Sequence, residues 1–134
     1  MAKNRVAILI GSQSDQEVMA EARDVLTGKG IACELYVSSA HRDPDGTREI
    51  IRKEEDLGCS VFIGGAGLAG HLPGFIASHT HLPVIGVPLS AGPLKGVDAL
   101  LSMAQMPGGV PVAVVGIDNA KNAALLALRI MGRK

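Results

Sequence analysis

Five short apolar runs, separated by helical patterns and polar turns, constrain this chain more than any other feature. They are RVAILI at Arg5–Ile10, ACELYV at Ala32–Val37, SVFIG at Ser60–Gly64, PVIGVP at Pro83–Pro88 and PVAVVGI at Pro111–Ile117. Most are nearly continuous in hydrophobicity, as strands of a parallel sheet covered on both faces should be. Between the first two, Val18, Met19, Ala22, Val25 and Leu26 fall at helical spacing, and Gly28 suits a C-cap. Further helices are expected after Asp43-Pro44, from a start at His71 supported by Pro73, from Val97 to Met103, and from Asn119 to Met131. Strands and helices alternating across short connections imply an α/β fold, a doubly wound parallel sheet with right-handed crossovers.

Ligands of such sheets bind at the carboxyl ends of the strands. That rule selects GSQSD after the first strand, SSAHRDP after the second, GAGLAGHLPG after the third and LSAGPLKG after the fourth. At 134 residues, 1–134 is expected to form a single domain. Charge is balanced, 13 acidic against 13 basic residues with no basic cluster, so neither nucleic acid nor an anionic membrane has an electrostatic handle. Small-molecule chemistry is the expectation. Cys33 and Cys59 form no C-x-x-C pair, which fits reduced thiols and argues against structural zinc. No run approaches the roughly 20 apolar residues of a membrane span, and the chain is expected to be soluble and cytoplasmic.

In GSQSD, Gly11 can make a tight turn while Ser12 or Ser14 caps the next helix, whose free N–H groups favour an anion. Asp15 would repel an adjacent phosphate, so a ribose hydroxyl suits it better. An ordinary helix cap is the competing reading. SSAHRDP places a hydroxyl, a titratable base and a permanent cation, Ser39, His41 and Arg42, in one turn-sized loop. Arg42 can hold a phosphate through a forked, charge-assisted hydrogen bond, and His41 can exchange a proton near neutral pH. Asp43 followed by Pro44 opens the next helix.

GAGLAGHLPG reads as G-x-G-x-x-G, yet it fails as a dinucleotide fingerprint. That motif belongs after the first strand of its unit, with an acid about 20 residues onward, and here the next strand ends in VPLS without one. The glycines could still let a flat ring approach the backbone and leave N–H groups free for a carboxylate. His71 lies on the same sheet edge as His41, whereas nothing beside His79 or His81 suggests metal ligation. Tyr36, Phe62 and Phe75 are the only aromatics, too few to stack on a flavin. The first strand also ends without the paired acids of a magnesium-dependent receiver domain.

With GSQSD, SAHRDP, AGLAGHLPG, PVIGVP, QMPGGVPVA and NAALLALRI in this order, nearly the whole chain resembles the catalytic subunit of phosphoribosylaminoimidazole carboxylase, the family that includes N5-carboxyaminoimidazole ribonucleotide mutase. The resemblance implies a flavodoxin-like α/β/α domain in a homo-octamer, with active sites at subunit junctions. It implies a reaction of purine biosynthesis needing no metal, ATP or other cofactor, in which a carboxylate moves from nitrogen to ring carbon 4 through sequestered carbon dioxide. Carried over by motif, Ser12, Ser14, Asp15, Ser39 and Arg42 hold ribose and phosphate beside Ala40. His41 is the general acid/base, and Ala66, Gly67, His71 and Leu72 form the carboxylate pocket. The HLPG histidine favours the mutase over direct carboxylation, and the intact Ser39, His41 and Arg42 favour an enzyme over a noncatalytic nucleotide-binding module. Leu68 and Gly70 depart from the usual Gly and Ala of the bacterial motif, and Asp43 from the usual Thr. Lys134 falls short of a C-terminal extension that packs against neighbouring subunits in many relatives.

Overall fold

The computed structural model describes residues 4–134. Its strands are β1 (Arg5–Ile10), β2 (Ala32–Val37), β3 (Val61–Ala66), β4 (Val84–Pro88) and β5 (Ala113–Val114). The helices are α1 (Gln16–Gly28), α2 (Pro44–Asp56), α3 (His71–His79), α4 (Val97–Ala104) and α5 (Ala120–Ile130). All strands are parallel in the order β2-β1-β3-β4-β5, the flavodoxin-like arrangement.

The continuous apolar runs are explained by cover on both faces. Val6, Ile8 and Ile10 point into a core shared with α1 and α5, while Ala7 and Leu9 point into a second core closed by α2, α3 and α4. β1, β3 and β4 lie inside the sheet and are buried almost throughout, whereas β2, an edge strand, alternates between exposed and half-buried residues.

Three boundaries differ from the expectation. β3 runs two residues past Gly64, to Ala66, so the glycine-rich segment begins inside the strand. β5 shrinks from the seven residues of PVAVVGI to two, the pairing with β4 being confined to Ala113 and Val114, and Pro111 has no N–H to extend the ladder at its start. Gly28 is the last helical residue of α1, and the left-handed position that ends the helix falls on Gly30, φ +79°.

A buried ion pair ties the lower end of the fold together. Glu54 of α2 is completely buried, and Arg5 donates to it from Nε and Nη2, each at 2.7 Å. Tyr36 Oη of β2 donates to the same carboxylate at 2.5 Å. Burial alone would raise the Glu54 carboxyl, but the Arg5 and Tyr36 hydrogen bonds outweigh it and leave it below its usual range.

Candidate active site

Ile10 pairs with Val37 on one side and with Gly65 on the other. The three chains therefore leave the sheet at one level, and their loops, with Ala91 beyond β4, enclose a cleft of about 460 Å³.

The first loop is GSQSD. Ser12 caps a single 3-10 turn, Gln13–Asp15, by accepting the Ser14 N–H at 3.3 Å, and the two serine hydroxyls lie 2.9 Å apart. Neither serine caps α1 itself, because the interposed turn makes Asp15 the capping position, where its side chain forms no capping bond. Both hydroxyls are thereby left at the cleft. Burial raises the Asp15 carboxyl above its usual range, against a backbone hydrogen bond at Ser12 that lowers it.

The second loop is held from beneath. Ser38 N–H donates to Ile10 O at 2.7 Å, and its hydroxyl lies 2.6 Å from that of buried Thr47. Ser39 accepts twice, its carbonyl from Asp43 N–H at 2.8 Å and its hydroxyl oxygen from Arg42 N–H at 3.2 Å. Asp43 Oδ1 accepts from Gly46 N–H at 3.0 Å, so its carboxylate caps the start of α2. Arg42 is exposed and belongs to none of the ion pairs among the described residues. Its guanidinium is available to an anion.

The third loop is a turn closed by Gly70 N–H donating to Gly67 O at 3.0 Å. That bond removes one of the N–H groups expected to face a carboxylate. The space at the glycines is also filled from within: a Cβ on Gly67 would stand 2.7 Å from Ala91 Cβ, and one on Gly70 2.9 Å from Ala99 Cα. Gly70, φ +60°, caps α3, so His71 is the first helical residue. Its ring lies face to face with that of His41, centroids 4.5 Å apart and planes 14° apart. Burial lowers the His71 pKa from its ordinary value, and the nearby charge of His41 lowers it further.

The site residues carried over by the resemblance all line this one cleft: Ser12, Ser14 and Asp15; Ser39, Ala40, His41 and Arg42; Ala66, Gly67, His71 and Leu72. Ala69 and Ala91 also line it; both fall in loops that the strand-end rule selects, but an alanine carries no chemical signal of a role, and Leu68 stood out only as a departure from the motif. Leu68 occupies φ +54°, the left-handed region, is 54% exposed, and sets its Cδ2 where a Cβ on Gly92 would come within 2.5 Å. His79 and His81 line a separate cavity near the amino ends of β4 and β5. Among the described residues no three His, Cys, Asp or Glu side chains are grouped to hold a metal, and no helix is long and apolar enough to cross a membrane.

The parallel sheet carries a cleft of hydroxyls, one guanidinium and a stacked imidazole pair at its carboxyl edge, and defines a flavodoxin-like α/β protein. Residues 5–134 match the model of the AIR carboxylase family, and the chain belongs to that family. N5-carboxyaminoimidazole ribonucleotide mutase from Pyrococcus horikoshii is 56% identical over 132 residues, 98% of this chain and 75% of its own length. The protein of the same name from Thermotoga maritima is 54% identical over 130 residues, 97% of this chain and 76% of its own. The crystal structure of Treponema denticola PurE superposes with a TM-score of 0.87 at 31% identity, covering 96% of this chain and 80% of that one.

Proposed function

We propose that this chain converts N5-carboxyaminoimidazole ribonucleotide to 4-carboxy-5-aminoimidazole ribonucleotide in purine biosynthesis, with His41 as general acid and base. The observation that carries the reading is the stacked His41–His71 pair set beside Arg42 and the serine hydroxyls in one cleft. It is supported by relatives more than half identical that bear the mutase name.

The chemistry divides the cleft into two ends. Arg42, Ser12, Ser14 and Ser39 bind the ribose phosphate, with Asp15 on a ribose hydroxyl. At the other end, beside Ala40, Ala66, Gly67 and Leu72, the bond between the exocyclic nitrogen and the carboxylate carbon breaks, its electron pair staying on nitrogen. Protonated His41 gives that nitrogen a proton, and carbon dioxide is released into the pocket. Ring carbon 4 attacks the carbon dioxide, and neutral His41 takes the proton that this carbon loses. One proton is given and one recovered, so the cycle needs no other reactant. Retaining carbon dioxide requires a site closed to water. Closure is supplied in this reading by assembly of the domain into a cytoplasmic homo-octamer, for which exposed Leu94, Val97 and Leu101 offer apolar surface.

Purified protein is assayed with N5-carboxyaminoimidazole ribonucleotide, and separately with aminoimidazole ribonucleotide plus bicarbonate. Conversion of the first is expected, with His41→Asn lowering turnover by about 10²–10⁴-fold and leaving KM nearly unchanged. Conversion of the second alone replaces the mutase by a direct carboxylase, the reaction in the family's own name. Near-parent turnover in His41→Asn removes His41 from the proton-transfer role.

A further inference from the structure

General bases that are histidines are usually oriented by a hydrogen bond to one ring nitrogen, which leaves a single nitrogen for chemistry. His41 is held differently. Among the described residues no hydrogen bond engages either of its ring nitrogens, and the contact that fixes its ring is the face-to-face stack on His71 at 4.5 Å. Stacking uses the face of an imidazole and leaves both nitrogens at the rim.

His71 is itself braced. On α3 the rings of His71, Phe75 and His79 follow one another at i, i+4 spacing, with Phe75 tilted by 59° against His71 at 6.0 Å and stacked on His79 at 4.3 Å. His79 is anchored, its Nδ1 lying 2.8 Å from Phe75 O and 2.9 Å from Ser78 Oγ. The ring column runs along α3 and ends at His41.

We propose that His71 is a positioning residue of the proton transfer, a ring platform that sets the plane of His41 and keeps both its nitrogens free to give and retake a proton. The assignment rests on the mutase reading for its chemistry and on the stack for its geometry. The ionisable side chains that share the cleft with the pair are Asp15 from the turn before α1 and Arg42 from the loop of His41, while from the turn after β4 Ala91 alone lines it. A neutral His71 fits this setting, because its lowered pKa keeps a second positive charge from the face of His41.

Two variants separate a platform from a chemical group: His71→Ala removes the ring, and His71→Phe keeps a flat ring that cannot carry a proton. With N5-carboxyaminoimidazole ribonucleotide, His71→Ala is expected to lower kcat by roughly 10- to 100-fold, the cost of a misplaced catalytic group, with KM nearly unchanged. His71→Phe should recover most of that loss. Parent-like kcat in His71→Ala, or a phenylalanine variant no better than alanine, overturns the proposal. A readout independent of turnover is the NMR shift of the His41 ring protons, which a stacked ring displaces. The ring-current displacement should be lost in His71→Ala and persist in the same direction in His71→Phe, whose phenyl ring shields more strongly than an imidazole. If the His41 shifts are the same in all three proteins, the platform is absent in solution and the proposal falls. If the shifts behave as expected but the parent converts neither substrate pair, the mutase reading fails while the stack stands, and the proposed role in proton transfer goes with that reading.

Discussion

Replacing Arg5 by methionine isolates the charge at the base of the fold. Glu54 has no solvent exposure, and its donors are the two guanidinium nitrogens at 2.7 Å and the Tyr36 hydroxyl at 2.5 Å. Removing the guanidinium leaves a buried carboxylate with one hydroxyl donor. Breaking a buried pair from one side costs about 3–5 kcal/mol, because the remaining charge must stay unpaired or take up a proton. That is a large part of a domain's roughly 5–15 kcal/mol. The deficit has a pH signature. In the parent the Glu54 pKa is depressed, so its contribution is present above the unfolded value and lost as pH falls through the folded one. Without Arg5, burial dominates and raises the pKa, so the carboxylate destabilises at neutral pH and is relieved as pH falls. The two stability curves therefore converge in acid. Urea unfolding of parent and Arg5→Met between pH 4 and 8 provides the assay, with Arg5→Met/Glu54→Gln expected to recover most of the loss. A deficit under about 1 kcal/mol at pH 7, the range of a surface pair, or one that does not shrink toward acid, refutes the reasoning.

Three further outcomes follow from the cleft. Arg42→Ala should raise KM by roughly 10- to 100-fold, from the 1.5–3 kcal/mol of a charged hydrogen bond, with a smaller effect on kcat; an unchanged KM takes Arg42 out of phosphate binding. Asp43→Ala should cost about 1 kcal/mol in chemical unfolding by removing the α2 cap while leaving KM alone, and a lower KM would mean that the carboxylate also opposes the substrate. In His41→Asn the NMR titration of His71 should move up, because one of the two effects depressing it is gone, yet stay below the ordinary value because burial remains. A downward or absent shift contradicts the electrostatic coupling of the rings.

The parts of this molecule that were legible in its sequence are those where residue type alone decides. Apolar runs such as Arg5–Ile10 and Val84–Pro88 become inner strands because nothing else accommodates them. The rule that ligands sit at strand carboxyl ends gathered Ser12, His41, Arg42 and His71 without any contact being known. Glu54 was not legible. It stands in RKEED, which reads as a solvated charged face, and its partner Arg5 is 49 positions away. Leu68 was equally silent as to conformation, since a leucine gives no sign of a positive φ and the turn it sits in is closed by Gly70 N–H and Gly67 O. The two-residue β5 shows the reverse error: an apolar run was present, and pairing with β4 reached only Ala113 and Val114 of it.

The glycine-rich segment shows how one pattern of letters can serve opposite ends. In a dinucleotide site the glycines keep side chains out so that a pyrophosphate can come close to the backbone. Here the protein itself moves into the vacated space. A Cβ on Gly65 would meet Met19 Sδ of α1 at 2.7 Å, and the places beside Gly67 and Gly70 are taken by Ala91 and by Ala99 of α4. The segment therefore draws α1, α4 and the turn after β4 against the end of β3. Because Gly70 accepts a left-handed φ while lying against Ala99, α3 begins at the very next residue. That start carries His71 to the level of the loop after β2, where its ring reaches His41. In the proposed function the phosphate end of the cleft is left to Arg42 and the serine hydroxyls of the first two loops. The glycines of the third loop contribute the position of a ring.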